Sequence, residues 1–137
     1  MELPLVTPPP RKTEIKRQLL RGGPGDIPIV HTLYDTYALW SQLLLKFPKS
    51  QRYTLGETCA RHILESLEIL LFTSSLPNST EKINSLRIAS GKIDTLKLLI
   101  RLVKDCKCVS NTHYLQVESH LHDAGKMLGG WVKSMGG

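Results

Sequence analysis

A chain of 137 residues suits one folded domain with a core of its own and leaves little room for a second. Eighteen Lys and Arg against twelve Asp and Glu leave a net charge of +6, an excess that points to an anionic partner, nucleic acid being the commonest. No apolar run approaches the roughly 18 residues of a spanning helix, and MELPLVTPPPRK lacks the basic end and apolar middle of a secretory signal, so the expectation is a cytoplasmic protein away from membranes.

Residues 1–26 read as an arm. PLVTPPPRK and RGGPGD, Arg21 to Asp26, are rich in Pro and Gly and read as extended chain, while TEIKRQLLR between them has room for two or three helical turns. The arm carries Arg11, Lys12, Lys16, Arg17 and Arg21. Residues 27–137 read differently, as a bundle of four helices. Val30, Leu33, Tyr37, Trp40, Leu44 and Phe47 step by 3, 4, 3, 4, 3 and make one stripe of a first helix, which Pro48 stops. Thr54-Leu55-Gly56-Glu57 has the form of a capping box, which predicts that a second helix starts at about Leu55.

The inner stripe of that second helix is Ala60, Ile63, Leu67 and Leu70, widened by Leu64 and Leu71. Asn78, with Glu81 three residues on, and Ser79 compete to cap a third helix, whose stripe is Leu86, Ala89, Ile93, Leu96, Ile100 and Val103, with Gly91 as its weak point. It ends near Lys107. Ser110 then caps a fourth helix with the stripe Tyr114, Val117, Leu121, Ala124, Leu128 and Trp131, and the paired Gly129 and Gly130 predict a bend that lets Trp131 pack. With no sustained strand alternation, the fold class is all-α: an up-down-up-down antiparallel four-helix bundle. Ile69, Phe72, Ile88, Leu98, Leu99 and Leu102 lie off the inner stripes, and an apolar surface of that kind predicts self-association.

Motifs for chemistry are missing. There is no phosphate loop, no H-E-x-x-H, no nucleophile elbow and no set of inward Glu-x-x-His pairs, so an enzyme is not expected, nor any cofactor. Cys59, Cys106 and Cys108 are an odd number without a spaced framework and are expected as free thiols. Cys106-Lys107-Cys108 near His113 lacks the second ligand pair of a zinc site, so no metal is expected either. His120-Leu121-His122 cannot chelate one ion from a regular helix, because residues two apart diverge.

Positive charge, by contrast, is patterned. Lys97, Arg101 and Lys104 form one stripe of the third helix, and Arg87 and Lys92 extend it toward that helix's start. Lys46, Lys49 and Arg52 crowd the first turn, beside Tyr53 as a possible stacking ring. Neither Lys49 nor Arg52 is required by the turn itself. In an up-down-up-down bundle this turn lies at the same end as the turn after the third helix, so Lys46, Lys49 and Arg52 should neighbour Lys104 and Lys107 and make a basic end suited to phosphate contacts. The plain alternative for each is a solvated surface cation.

FPKSQRYTLGE at Phe47 to Glu57, the run from Lys92 to Ser134 closing in GKMLGGW, and the opening IPIVHTLYDTYALW together resemble Avd, the accessory variability determinant of diversity-generating retroelements. The resemblance covers about residues 27–134. It implies a four-helix bundle that assembles into a basic, barrel-like homopentamer, associates with the reverse transcriptase of its element, and binds RNA or DNA. Such proteins are not polymerases themselves; they are required partners in the mutagenic copying of a template RNA into cDNA that diversifies a target gene. The arm over residues 1–26 departs from the short start of that family. A related group, the small proteins of 23S ribosomal RNA intervening sequences, shares the four-helix pattern and a similar F-P-K-S turn, but its usual continuation is richer in Arg-Ala-Ala and Ser-Ile-Pro than GETCARHILESLEILLF. A third reading is a structural oligomer whose charge serves solubility.

Overall fold

The computed structural model of the protein describes residues 27–136. The arm expected over residues 1–26, with Arg11, Lys12, Lys16, Arg17 and Arg21, lies outside the described residues. Within them the chain forms four long helices and no strand: α1 (Pro28–Leu44), α2 (Glu57–Ser74), α3 (Thr80–Asp105) and α4 (Asn111–Ser134). α1 packs on α2 and α4, and α3 packs on the same two, so the helices close a ring in chain order, as in a four-helix bundle.

The core follows the predicted stripes most closely in α3, where Leu86, Ala89, Ile93, Leu96, Ile100 and Val103 are all buried. In α4, Val117, Leu121, Ala124 and Leu128 are buried, while Tyr114 and Trp131 close the stripe half-buried at its two ends. α1 and α2 turn slightly away from expectation. α1 buries Thr36 and Leu43 and leaves Tyr37 and Leu44 half-buried; α2 buries Cys59, Ser66 and Thr73 and leaves Ala60 and Leu67 half-buried. The reason lies in the hydroxyls. Thr36 Oγ1 donates to the Thr32 carbonyl at 2.7 Å, Ser66 Oγ to the His62 carbonyl at 2.8 Å, and Thr73 Oγ1 to the Ile69 carbonyl at 2.6 Å. A hydroxyl satisfied by its own helix packs like a small apolar group, so a stripe read from apolar residues alone misses it.

Two predicted caps form. The Ser79 hydroxyl accepts from the Lys82 amide, prevailing over Asn78, and the Ser110 hydroxyl accepts from the His113 amide. The capping box at Thr54 does not form. Pro48 instead caps a helical turn, Lys49–Gln51, which runs through a π-helical turn, Arg52–Gly56, directly into α2. Thr54 is already inside helical backbone there, and its hydroxyl donates to the Ser50 carbonyl at 3.3 Å and to Gln51 Oε1 at 3.2 Å. The cause is the packing of Gly56. A Cβ on that residue would stand 2.5 Å from Leu44 Cδ2 and 3.2 Å from the Phe47 ring, so only glycine lets this backbone approach α1 without displacing those side chains. The Gly56 carbonyl accepts from the Trp40 indole N–H at 2.9 Å, and Trp40 meets Phe47 edge to face with ring centroids 5.4 Å apart.

No bend appears at Gly129 and Gly130: α4 runs unbroken to Ser134, and a Cβ at either glycine would meet nothing within 4 Å. Trp131 reaches the core from a regular helix because it continues the α4 stripe.

α3 ends in a Schellman motif. The Lys107 amide donates to the Lys104 carbonyl at 2.9 Å and the Cys108 amide to the Val103 carbonyl at 3.1 Å, while Lys107 takes φ +59°, a left-handed conformation that favours glycine. The Lys107→Gly substitution is therefore expected to stabilise the fold by about 1 kcal/mol, raising the thermal midpoint by a few degrees. An unchanged or lowered midpoint in calorimetry would show that the lysine side chain offsets its own backbone strain.

Candidate nucleic-acid interface

The last turns of α3 present Lys97, Arg101 and Lys104 on the flank that faces α4. Lys97 and Arg101 line a groove of about 320 Å³ together with Tyr114, Glu118 and His122. Gly125 makes room for Lys97, whose Nζ lies 3.0 Å from where a Cβ on that glycine would stand. Lys104 places its ammonium 4.6 Å from the centroid of the Tyr114 ring. Burial, and then the neighbouring Glu118 carboxylate, push the Tyr114 hydroxyl above its ordinary range, so it stays protonated and able to donate. Sequence reasoning assigned Tyr114 only to the core stripe. The signal that could have singled it out is an aromatic in the first turn of one helix next to the basic last turns of the preceding one.

The two connections at this end of the bundle do meet. Lys46 and Lys107 line a single cleft of about 400 Å³ with His113, as the up-down-up-down arrangement predicts. Lys49 is exposed on the short helical turn that follows Pro48. Tyr53 is exposed too, so its ring is open to solvent. Arg52 departs from expectation: its Nη2 donates to the Leu45 carbonyl at 2.8 Å and its side chain is half-buried. The carbonyls at the end of α1 have no helical partners, and the guanidinium supplies one. The turn therefore uses this charge, contrary to the reading that it needed none.

Lys92 and Arg87 lie elsewhere. Lys92 faces α2, where its Nζ sits 2.8 Å from Glu65 Oε2. Arg61 and His62 also flank that carboxylate, at 3.8 and 3.9 Å. The hydrogen bond from Lys92, more than any other influence, holds the Glu65 carboxyl below its ordinary range, and burial lowers the basicity of His62. Lys92 thus ties α2 to α3. Arg87 is exposed but stands 17 residues before Lys104 on α3, about 25 Å away at the helical rise per residue.

The off-stripe apolar residues do reach the surface. Phe72, Ile88, Leu98 and Leu102 are exposed, with Leu98 at 69%, whereas Ile69 and Leu99 are half-buried. Ile88, Leu98 and Leu102 share the outer face of α3 with Gly91 and Thr95, spaced 3, 4, 3, 4 along the helix. Space around Gly91 is open, so another backbone can approach closely there.

Among the described residues no group of three or more His, Cys, Asp and Glu is placed to hold a metal ion, and no helix is long and apolar enough to cross a membrane. Cys59 and Cys108 are buried free thiols, and Cys106 is exposed. Burial pushes the Cys59 thiol up to about 12, so it remains a protonated core group. His120 meets Thr36 at 3.4 Å between α4 and α1, while His122 lines the α3–α4 groove.

No curated protein and no solved structure matches this chain. A protein-family model does match it, described as bAvd-like, over residues 29–135. The matched span runs through all four helices and both connections of the basic end, and the chain belongs to the bAvd-like family.

Proposed function

We propose that the protein is an accessory subunit of a diversity-generating retroelement that holds template RNA or its cDNA against the element's reverse transcriptase during mutagenic copying and retrohoming, without catalysing the copying itself. The observation that carries the nucleic-acid part is the meeting of Lys46 and Lys107 in one cleft beside Lys104, which continues along α3 as Arg101 and Lys97. We read the cations of the two connections and of this helix flank as one track, with Tyr114 beside Lys104 in its middle. Such a track suits phosphate contacts without base readout. Membership of the bAvd-like family, which is known as accessory and non-catalytic, supports the retroelement role over the ribosomal intervening-sequence reading.

The same family supports a homo-oligomer, a pentamer in our reading, and the outer face of α3 is where we place the subunit contact. An exposed stripe of Ile88, Leu98 and Leu102 interrupted by the small Gly91 offers apolar area and a close backbone approach. Lys92 and Arg52 are given structural duties, and Arg87 a place outside the track.

Four measurements test this. Changing Lys97, Arg101 and Lys104 together to glutamate should leave the circular dichroism unchanged and abolish retention on RNA and DNA. Single substitutions should each make the slope of log affinity against log salt shallower by about 0.7 to 0.9, the share of one neutralised phosphate. Retention at the wild-type level, or an affinity indifferent to salt, would return the charge to a solubility role. Leu98→Asp should convert the native assembly to single subunits of 15.4 kDa in light scattering; an unchanged mass moves the contact off α3. Co-purification with the neighbouring reverse transcriptase at low salt should give a complex, and its absence would remove that partner.

A further inference from the structure

The cleft between the two connections differs from the rest of the basic track because it has an apolar floor. Leu43 is 5% exposed and Val109 is half-buried beneath it, while Lys46 and Lys107 stand exposed at its rim and His113 lies half-buried beside them. Among the described residues no acidic side chain lines the cleft. Its volume of about 400 Å³ falls within the range of pockets that hold small organic ligands. A phosphate by itself needs cations and gains nothing from Leu43 and Val109; the Lys97, Arg101 and Lys104 row already meets that need. Cations rimming an apolar floor suit a ligand with an anion at one side and a flat apolar face at the other, which describes a nucleotide. A base inside a duplex is stacked and paired and cannot reach such a floor, whereas an unpaired base can.

We propose that this cleft seats one unpaired nucleotide, its base against Leu43 and Val109 and its phosphate between Lys46 and Lys107 with the His113 ring donating. The inference rests on the nucleic-acid reading above and deepens it, because it makes the basic end selective for single-stranded RNA or DNA over duplex. A free nucleoside 5′-phosphate offers the same chemistry as a nucleotide within a strand, and the test separates the two.

A labelled single strand and a duplex of the same sequence are titrated against the full chain, and the bound strand is then challenged with adenosine 5′-monophosphate or with inorganic phosphate at matched ionic strength. The strand should bind roughly tenfold tighter than the duplex, and the nucleotide should displace it at roughly a tenth of the phosphate concentration, the size of effect one seated base supplies. Lys107→Gly, whose backbone is favoured at that position, should weaken strand, nucleotide and phosphate alike while the fold is kept. Val109→Asp, which sets a charge on the half-buried floor, should erase both preferences with the helicity unchanged. Equal displacement by nucleotide and phosphate, with the strand still bound, overturns the base seat and leaves the phosphate track standing. Displacement by nucleotide without any preference for strand over duplex overturns strand selectivity and assigns the cleft to free nucleotides. Retention of neither strand nor duplex at low salt overturns the nucleic-acid reading together with this one.

Discussion

The hydrogen bond from the Trp40 indole to the Gly56 carbonyl, with the Phe47 ring set edge to face against the same indole, is the constraint from which the basic end of the bundle takes its shape. A buried indole N–H left without a partner would cost about 1–3 kcal/mol, and here its partner is a backbone carbonyl within the π-helical turn that leads into α2. That bond is possible because residue 56 has no side chain to hold the turn away from Leu44 and Phe47. Drawn in this way, the chain after Pro48 is helical at once, and the connection becomes a compact corner instead of a loop followed by a capped helix. Lys46 then stands across a cleft from Lys107, and Arg52 turns inward to the end of α1.

The same physical demand sorts the cations. A helix-end carbonyl or a neighbouring carboxylate recruits a positive group into the fold, and the other cations stay exposed. Arg52 serves the Leu45 carbonyl, Lys92 serves Glu65, and the buried Lys82 donates to the Leu76 carbonyl at 3.1 Å while its ammonium lies 5.6 Å from the Trp131 ring centroid at the opposite end of the bundle. Lys46, Lys49, Lys104, Lys107 and Arg101 are exposed, and they gather at the end of α3 and the two connections beside it. Lys107 is held there in a left-handed conformation by the two hydrogen bonds that finish α3, so its position is set by backbone geometry.

How much was legible in the residues differs from helix to helix for reasons that can be named. α3 follows its stripe because the inner positions from Leu86 to Val103 are all aliphatic and their period is unbroken. α2 departs from its apolar stripe because Ser66 and Thr73 are buried with their hydroxyls bonded to the preceding turn, and a pattern of apolar residues cannot register them. Thr54 through Glu57 satisfied a local capping rule, yet that rule presumes an extended residue at the helix start, and contact with α1 had already made this stretch helical. Gly129 and Gly130 suggested a bend from local weakness, but α4 packs on both α1 and α3 and stays straight enough to run through them.

The residues by themselves determined the four helices of the described residues, most of their core, the Ser79 and Ser110 caps, and the sign of the charge, because periodicity, capping and composition are properties of neighbours along the chain. They also carried the family resemblance that the match over residues 29–135 bears out. Tertiary structure alone decided where the second helix begins, which cations are already engaged, and that Tyr114 stands beneath Lys104. Each of these depends on groups far apart in the chain meeting at one point, and such meetings are governed by steric fit and by the pairing of buried polar groups, neither of which has a period that can be read along a sequence.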